Sequence, residues 1–447
     1  MSTSGRFFDS APGSREIADR FADLHPPFTS ASAVIEANRC LYCFDAPCMA
    51  ACPTHIDVPK FIKKIASGNL EGSARTILDA NILGASCARA CPVQVLCEGS
   101  CVMHHSHERP IEIGRLQRFA MDALYASGAP LPFAPGGDTG RKVALIGGGP
   151  ASLACAAELR RRGIRAEIFD ARPLPGGLNT YGIAEYKLPL AESLREIDML
   201  SQLGVQFHFE TTVDATKFST LEAEFDAVFL GVGLGKIQSL GVTGERLAGV
   251  VDALDFIAGY KTEATTSVPS GVAVIGAGNT AIDAANAAVR LGAEEVYLVY
   301  RRGRAEMSAF DFEYEHAQQE GVRFHWYKGV ASMEGSDKVE SIHVRPLAPN
   351  TGGLVATEAE QGFHVAVGMV ILAIGQETHT GFLDDGAVKL DKGRIVINRL
   401  NGQTSKANVF AGGDCANGGR EVVDAVADGK RAGAGIAAWL EGNDANA

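Results

Sequence analysis

The spacing of apolar positions changes character near residue 141 of the chain. Before about Ala126, apolar residues recur at helical spacing in SASAVIEANRC, IDVPKFIKKIASG and GRLQRFAMDAL, which predicts helices separated by loops. A Pro- and Gly-rich linker, SGAPLPFAPGGDTG, follows these segments. From Arg141 the order becomes an apolar strand, a glycine turn, an Ala-rich helix and another strand. We therefore expect a helical module followed by α/β units.

This strand–turn–helix–strand order occurs twice. It first runs from RKVALIGGGP to RAEIFD, and it returns at residues 271–302 as GVAVIGAGN, TAIDAANAAVRLG and EEVYLVYRR. The last stretch has a strand, a glycine turn and a helix, and we expect it to complete the first unit. The predicted fold is α/β, with two Rossmann-like nucleotide-binding domains preceded by an α-helical domain. The predicted boundaries are 1–126 for the helical domain, 127–140 for the linker, 141–260 and 381–447 for the first nucleotide domain, and 261–380 for the second.

Composition and charge exclude several classes of function. The chain of 447 residues is 46% hydrophobic, which suits two or three packed domains. It has no apolar run long enough for a membrane span, and its N-terminus lacks the apolar stretch of a secretion signal. The net charge of −12 argues against a nucleic-acid partner. We expect a cytoplasmic protein without a membrane role.

Eight of the ten cysteines lie between residues 40 and 101. They form the runs Cys40-x2-Cys43-x4-Cys48-x3-Cys52-Pro and Cys87-x3-Cys91-Pro-x4-Cys97-x3-Cys101. The first run is one residue longer than that of two-cluster ferredoxins, and eight thiolates are the number that two 4Fe–4S clusters need. Zinc is the alternative, but only the Cys40/Cys43 pair has the usual spacing for it. A disulfide framework is disfavoured in a reducing compartment.

The first glycine turn has the features of a flavin-binding loop. Gly147, Gly149 and Ser152 form a GxGxxS pattern between strand and helix, and Asp170 closes the next strand 23 residues after Gly147. The later PGGL and AGGD segments resemble those of FAD-binding oxidoreductases; the alternative is an ordinary Rossmann turn with a surface loop. A flavoprotein disulfide reductase would need a cysteine pair beside the flavin. Only the isolated Cys155 and Cys415 follow residue 141, and we interpret both as structural.

The second glycine turn predicts a nicotinamide dinucleotide. Gly276, Gly278 and Ala281 give a GxGxxA pattern, again between strand and helix. Arg301 and Arg302 end the following strand, where arginine suits a 2′-phosphate. The alternatives are a solvated loop or contact with the ordinary pyrophosphate, so the choice between NADH and NADPH stays open.

With both cysteine runs and both glycine patterns in this order, the whole chain resembles the electron-input half of dihydropyrimidine dehydrogenase, and it is similar to the glutamate synthase small subunit. The resemblance implies one cluster on Cys40, Cys43, Cys48 and Cys101, and a second on Cys52, Cys91, Cys97 and Gln117. Cys87 is then left over, although the residues alone would make it the eighth ligand. Because the glutamate synthase relatives tend to have an acid at position 117, Gln117 favours the pyrimidine branch.

The resemblance also implies the cofactor-binding residues. Those for FAD are Gly147, Gly148, Gly149, Pro150, Ala151, Asp170, Gly176, Gly177, Leu178, Lys187, Val213, Gly413, Asp414 and Val422. Those for the nicotinamide cofactor are Ala277, Gly278, Asn279, Thr280, Arg301, Arg302, Ala373, Ile374 and Gly375. NADPH-using relatives place a further arginine seven residues after the first, where this chain has Ser308. This departure weakens the case for a 2′-phosphate. Because the bacterial subunits of this family are associated with NADH, the resemblance favours NADH despite Arg301 and Arg302.

The function expected from this resemblance is electron input. Hydride passes from NAD(P)H to FAD, and single electrons then pass through two 4Fe–4S clusters to an FMN-containing partner subunit that reduces uracil or thymine, in a heterotetramer or a similar complex. No acid–base catalytic residues are predicted, because the cofactors carry the chemistry. The alternatives are an NADPH module of the glutamate synthase type that feeds another acceptor, and a non-catalytic iron–sulfur redox sensor or scaffold.

Overall fold

The computed structural model describes residues 7, 15–262, 267–350, 353–356, 361–383, 386 and 388–444. The α-helices of the N-terminal part are α1 Arg15–Arg20, α2 Ser30–Asn38, α3 Pro47–Ala50, α4 Val58–Ala66, α5 Leu70–Ala80, α6 Gly84–Ala90 and α7 Ile113–Ser127. The later ones are α8 Pro150–Arg161, α9 Leu178–Tyr181, α10 Leu190–Ser201, α11 Ala215–Glu224, α12 Ala253–Thr262, α13 Asn279–Arg290, α14 Asp311–Gln319, α15 Asp414–Asn417 and α16 Val422–Asp444.

The strands begin after the linker. In chain order they are β1 Lys142–Ile146, β2 Arg165–Phe169, β3 Gln206–His208, β4 Ala227–Leu230, β5 Leu234–Ile237, β6 Val250–Asp252, β7 Gly271–Ile275, β8 Glu295–Tyr300, β9 Arg323–Trp326, β10 Lys328–Glu334, β11 Ser341–Asn350, β12 Gly353–Ala356, β13 Phe363–Ala366, β14 Met369–Leu372, β15 Gln376–Thr378, β16 Leu390–Asp391, β17 Arg394–Ile395 and β18 Val409–Ala411.

The helical module forms because each of its longer helices has one apolar face and a defined start. In α4, Asp57 accepts a hydrogen bond from the Lys60 backbone N–H, which satisfies one of the free donors at the helix start. Phe61, Ile62 and Ile65 form its buried face. The described residues of this module and of the first nucleotide domain share one apolar core. The cysteine loops are thereby held against the nucleotide-binding part of the chain.

Two five-stranded parallel sheets form the nucleotide-binding part. The first has the order β18-β4-β1-β2-β3, and the second has the order β6-β14-β7-β8-β9. The C-terminal strand β18 pairs in parallel with β4 at the edge of the first sheet. Parallel strands are joined by crossover helices and covered on both faces, which explains their nearly continuous apolar sequences. This confirms the predicted fold class.

A smaller antiparallel sheet is inserted between β9 and β14. It has the order β10-β11-β12, and β13 also pairs with β11, on the side opposite to β10. Apolar side chains of β10, β11 and β13 share a core with the second parallel sheet. Among the described residues, no helix combines the length and apolar character that a membrane span needs.

Candidate functional site

The first glycine turn connects β1 to α8. Gly147 has φ +92°, and a Cβ there would lie 2.5 Å from the Gly231 carbonyl oxygen. The Gly148 N–H donates to Oδ2 of Asp170 at 2.5 Å, and the Arg172 N–H donates to Oδ1 at 2.7 Å. Burial raises the pKa of Asp170. The acid at the end of β2 therefore lies directly beside the turn, as an adenosine-ribose site requires.

Two further glycine segments close around the start of α8. Gly177 has φ +54°, and a Cβ there would lie 2.8 Å from Cα of Gly149. Gly413 has φ +74°, and its Cβ position lies 3.0 Å from the Ala151 side chain. These close approaches leave the backbone of three segments free to contact a bound pyrophosphate. The residues present therefore fit a dinucleotide such as FAD.

A cavity of about 1350 Å³ opens beside these turns. Its lining includes most of the predicted cofactor-binding residues, namely Gly147, Gly148, Gly149, Pro150, Ala151, Asp170, Gly177, Leu178, Lys187, Val213, Gly413, Asp414, Val422, Asn279 and Thr280. Among the described residues, Gly176, Ala277, Gly278, Arg301, Arg302, Ala373, Ile374 and Gly375 lie outside this lining. The cavity is larger than the usual pocket for a drug-sized ligand. It has room for an extended dinucleotide and for the ring of a second ligand packed against it.

The second glycine turn connects β7 to α13. Gly276 has φ +135°, and a Cβ there would lie 2.2 Å from the Ala373 carbonyl oxygen. The Phe310 N–H donates to Oδ1 of Asn279 at 3.3 Å, so the loop after β8 lies against this turn. Arg301 and Arg302 are both exposed at the start of that loop. The turn fits a second dinucleotide, and the two arginines are accessible to its adenosine end.

Lys187 connects the two nucleotide domains at the cavity. Its Nζ lies 2.6 Å from Oδ1 of Asp283 and 2.5 Å from Oε1 of Glu313. Burial disfavours the charged amine, but the two carboxylates outweigh this effect and raise the pKa of Lys187. Asp283 lies on α13 and Glu313 on α14, whereas Lys187 follows α9. The ammonium therefore stays charged between the domains.

The two acids are site residues that the sequence patterns did not indicate. Both line the cavity, and Oε2 of Glu313 is buried without a hydrogen-bond partner among the described residues. A free buried carboxylate oxygen can accept a hydrogen bond from a ligand. The sequence contained one indication of this site, because Asp283 is an acid one turn after Asn279 on an otherwise Ala-rich helix.

Four cysteines form one group in the helical module. Cys40, Cys43, Cys48 and Cys101 line one small pocket together with apolar side chains such as Val58 and Ile62. Burial and the charges of Cys40 and Cys101 raise the pKa of the Cys48 thiol to about 12. Four thiols in an apolar pocket fit a 4Fe–4S cluster, whose iron binds them as thiolates.

The second group lies around Cys91. A hydrogen bond with Cys87, burial, and the charges of Cys87, Cys97 and Cys52 raise the pKa of Cys91. Cys87 is thus adjacent to Cys91, and Cys52 and Cys97 also lie near Cys91. In the described part of the chain, all ten cysteines are unpaired thiols.

Gln117 lies on α7 beside the helix that carries Cys87. Its Nε2 donates to the Gly84 carbonyl oxygen at 2.7 Å, and Gly84 is the first residue of α6. The side chain is 7% exposed, so the amide is buried within the module. Cys87 therefore lies on α6 and Gln117 lies beside that helix, and the identity of the eighth ligand stays a prediction.

The second cysteine group borders the nucleotide cavity. Cys91, Pro92 and Val93 line it, as do residues from loops of the nucleotide domains. Glu196 on α10 holds this region in place, because its carboxylate accepts from the Ala85 N–H at 2.7 Å and the Ser86 N–H at 3.1 Å. One cavity therefore brings together the first glycine turn, the start of α13 after the second turn, and the cysteine module.

Comparison with known proteins agrees with this arrangement. Residues 17–129 match the family model described as dihydropyrimidine dehydrogenase domain II, 4Fe-4S cluster. Residues 141–429 match the family model described as pyridine nucleotide-disulphide oxidoreductase. These matches confirm iron–sulfur, FAD and NAD(P)H as the cofactors and oxidoreduction as the chemistry.

Two relatives match nearly the whole chain. The glutamate synthase [NADPH] small chain of Halomonas elongata is 34% identical over 96% of this chain and 95% of that protein. The NAD-dependent dihydropyrimidine dehydrogenase subunit PreT of Escherichia coli is 36% identical over 94% of this chain and 97% of that protein.

A solved structure shares the fold of the nucleotide-binding part. The thioredoxin reductase of Lactococcus lactis is 18% identical, with a TM-score of 0.54 over 68% of this chain and 99% of that chain. This likeness concerns the fold alone. The chain belongs to the family of NAD(P)H-dependent FAD and iron–sulfur oxidoreductases that includes the glutamate synthase small chain and the dihydropyrimidine dehydrogenase subunit PreT.

Proposed function

We propose that this protein is the electron-input subunit of a pyrimidine-reducing complex. Electrons from NAD(P)H pass through FAD and two 4Fe–4S clusters to an FMN-containing partner subunit that reduces uracil or thymine. The main support for this electron route is that Gly147, Asn279 and Cys91 all line the same cavity. It provides one space in which a flavin can lie between a nicotinamide and a cysteine group.

The flavin, when bound, supplies the exchange between two-electron and one-electron transfer. The three glycine segments around α8 bind and orient its pyrophosphate, and Asp170 accepts from the ribose. Lys187 stays protonated between Asp283 and Glu313 and provides a positive charge at the cavity wall. Glu313 offers its free Oε2 to a ligand donor. The chain thus contributes orientation and electrostatics.

For the clusters we propose the ligand sets Cys40, Cys43, Cys48, Cys101 and Cys52, Cys91, Cys97, Gln117. The shared pocket of the first four cysteines supports the first set. The mutual proximity of Cys52, Cys91 and Cys97 supports three members of the second set. A neutral amide in place of a thiolate changes the charge of its cluster and hence its reduction potential.

We propose NADH as the preferred donor. Ser308 stands where NADPH-using relatives have an arginine, and it lies against the second glycine turn, 3.4 Å from the Cβ position of Gly278. Arg301 and Arg302 remain available for an adenosine phosphate, so the preference is moderate. Comparing kcat/KM for NADH and NADPH with a dye acceptor measures it; a higher value for NADPH contradicts the proposal.

Reconstitution with two partners tests the pyrimidine assignment. The purified holoprotein is mixed anaerobically with an FMN-containing pyrimidine-reducing subunit and uracil, or with a glutamate synthase large chain, glutamine and 2-oxoglutarate. We expect NADH-dependent dihydrouracil formation in the first mixture only. Glutamate formation with the second partner would assign the protein to the other branch, whose small chain is similar at 34% identity.

A non-catalytic sensor or scaffold is the alternative from another class. This alternative is distinguished from the enzyme by adding NADH to the anaerobic holoprotein and following the flavin absorbance. Bleaching at a catalytic rate supports the enzyme; a bound flavin that neither NADH nor NADPH bleaches supports the scaffold.

A further inference from the structure

Two imidazoles and one carboxylate meet on the inserted antiparallel sheet. Glu334 is the last residue of β10, His343 lies on β11 and His364 lies on β13. Their candidate ligand atoms all lie within 4.8 Å of one another. None of the three lines the nucleotide cavity. They form a separate cluster, which the electron-transfer function does not use.

The register of the sheet places the three side chains on one face. His343 is directly opposite His364, and Glu334 is opposite Ser341, two residues from His343. Because side chains alternate between the two faces of a strand, residues two apart point the same way. The neighbours Met333, Ile342 and Val365 are buried in the core beneath. The cluster is therefore on the outer face of a sheet whose inner face is firmly packed.

Hydrogen bonds from neighbouring hydroxyls orient the carboxylate. Ser332 Oγ donates to Oε1 of Glu334 at 3.0 Å, and Ser341 Oγ donates to Oε2 at 3.3 Å. Oriented carboxylates of this kind are typical partners in metal sites.

The cluster contains a second imidazole in addition to one His–Glu ion pair. Nδ1 of His364 lies 3.2 Å from Oε2 of Glu334, while the ring of His343 stacks on that of His364 at 4.7 Å and 10°. Together with the Glu334 carboxylate, the two rings place their candidate ligand atoms within 4.8 Å of one another, which is close enough for one ion to contact all three. The 3.2 Å separation is also close to the edge, about 3.3 Å, of a tetrahedron with zinc–ligand bonds of about 2.0 Å.

The backbone leaves room for this arrangement at Gly362. A Cβ at that position would lie 2.3 Å from Nε2 of His343. Any other residue would therefore displace the His343 ring from the cluster.

We propose that Glu334, His343 and His364 form a binding site for a divalent metal ion of the zinc class. Two imidazoles and one carboxylate are ligands that Zn²⁺ accepts, and water completes the coordination at the exposed side. Because the ligands come from three adjacent strands, the ion joins β10, β11 and β13. It should raise the thermal stability of the second nucleotide domain.

The test is a Zn²⁺ titration of the anaerobic holoprotein, followed by calorimetry and by thermal midpoint. Iron content is measured alongside, so that zinc uptake by emptied cysteine sites is detected. We expect one saturable equivalent and a rise in thermal midpoint. In His343→Ala, His364→Ala and Glu334→Gln the affinity should fall at least tenfold and the rise in midpoint should disappear.

His208→Ala is the matched control. His208 Nε2 lies 2.9 Å from Oε2 of Glu167, which makes a surface His–Glu pair without a second imidazole in register. This variant should bind Zn²⁺ like the original protein. Absence of a saturable equivalent overturns the proposal, and so does equal binding in the three site variants whose flavin and iron contents show that they are folded.

Discussion

At the scale of single residues, cofactor binding depends on positions where a side chain would block the cofactor. Gly147 is the clearest of these, because it combines a positive φ with a close carbonyl contact. For a residue with a Cβ, the left-handed region costs about 1–2 kcal/mol. The need for backbone space, rather than flexibility, explains this glycine.

Gly147→Ala should lose bound FAD. The strain and the 2.5 Å approach to the Gly231 oxygen displace the turn, and a cost of about 1.4 kcal/mol already weakens binding tenfold. The measurement is the ratio of released FAD to protein. Gly381→Ala is the control, because nothing lies within 4 Å of its Cβ position. A full complement of flavin in Gly147→Ala would contradict the assignment of this turn.

The eighth cluster ligand is also decided at single residues. We expect Cys87→Ser to keep the iron content of the original protein, since Gln117 completes the second cluster. Cys97→Ser, which removes a proposed ligand from the same group, should lose about half of the iron. Loss of iron in Cys87→Ser, together with retention in Gln117→Ala, would reverse the assignment.

At the scale of elements, helix α6 is fixed to α10 by a buried carboxylate. Glu196 accepts two backbone N–H bonds at the start of α6 and a hydroxyl bond from Ser86 at 2.5 Å. Burial nevertheless raises the pKa of Glu196 to about 7. The side chain thus connects the cysteine module to the first nucleotide domain in a pH-dependent way.

The pKa of Glu196 predicts the direction of that dependence. The unfolded chain ionises this group above about 4.5, whereas the folded chain keeps its proton up to about 7. The folded state binds more protons in this window, so its stability falls as pH rises from 4.5 to 7.

The loss due to Glu196 is of the order of 3 kcal/mol. Glu196→Gln should flatten this part of the profile of thermal midpoint against pH, and Glu224→Gln at the exposed end of α11 should not. A profile unchanged by Glu196→Gln would show that the group does not titrate in this range.

The same scale shows what the sequence could predict. Both strand–glycine turn–helix units could be recognised in the sequence, because their apolar periodicity and their glycine positions lie within short stretches of the chain. The inserted sheet was not predicted, and β6 joins the second sheet although it precedes residue 261; both depend on pairings distant in sequence. Lys187 was identified only through family resemblance, and its partner Glu313 lies 126 residues away, where no local pattern indicates the contact.

At the scale of the whole molecule, the ion pairs of Lys187 join the two nucleotide domains. Lys187→Met leaves two buried carboxylates without their cation, which should cost about 3–5 kcal/mol of stability. Thermal unfolding of the FAD-loaded protein measures the loss. The control is Lys406→Met, which breaks the more exposed pair with Glu222 at 2.7 Å and should cost at most about 1 kcal/mol. Equal effects in the two variants would contradict a special role for the Lys187 pairs.

In the proposed electron route, the flavin accepts electrons from NADH and the cysteine module passes them on to the partner subunit. This route is tested most directly in Cys48→Ala by two assays on one anaerobic preparation: NADH reduction of a dye that accepts electrons directly from the flavin, and NADH-dependent uracil reduction with the FMN-containing subunit. The original protein should support both reactions. We predict that Cys48→Ala keeps dye reduction and loses uracil reduction. Loss of both reactions in a variant that retains its FAD, or retention of both, would contradict the proposed electron route.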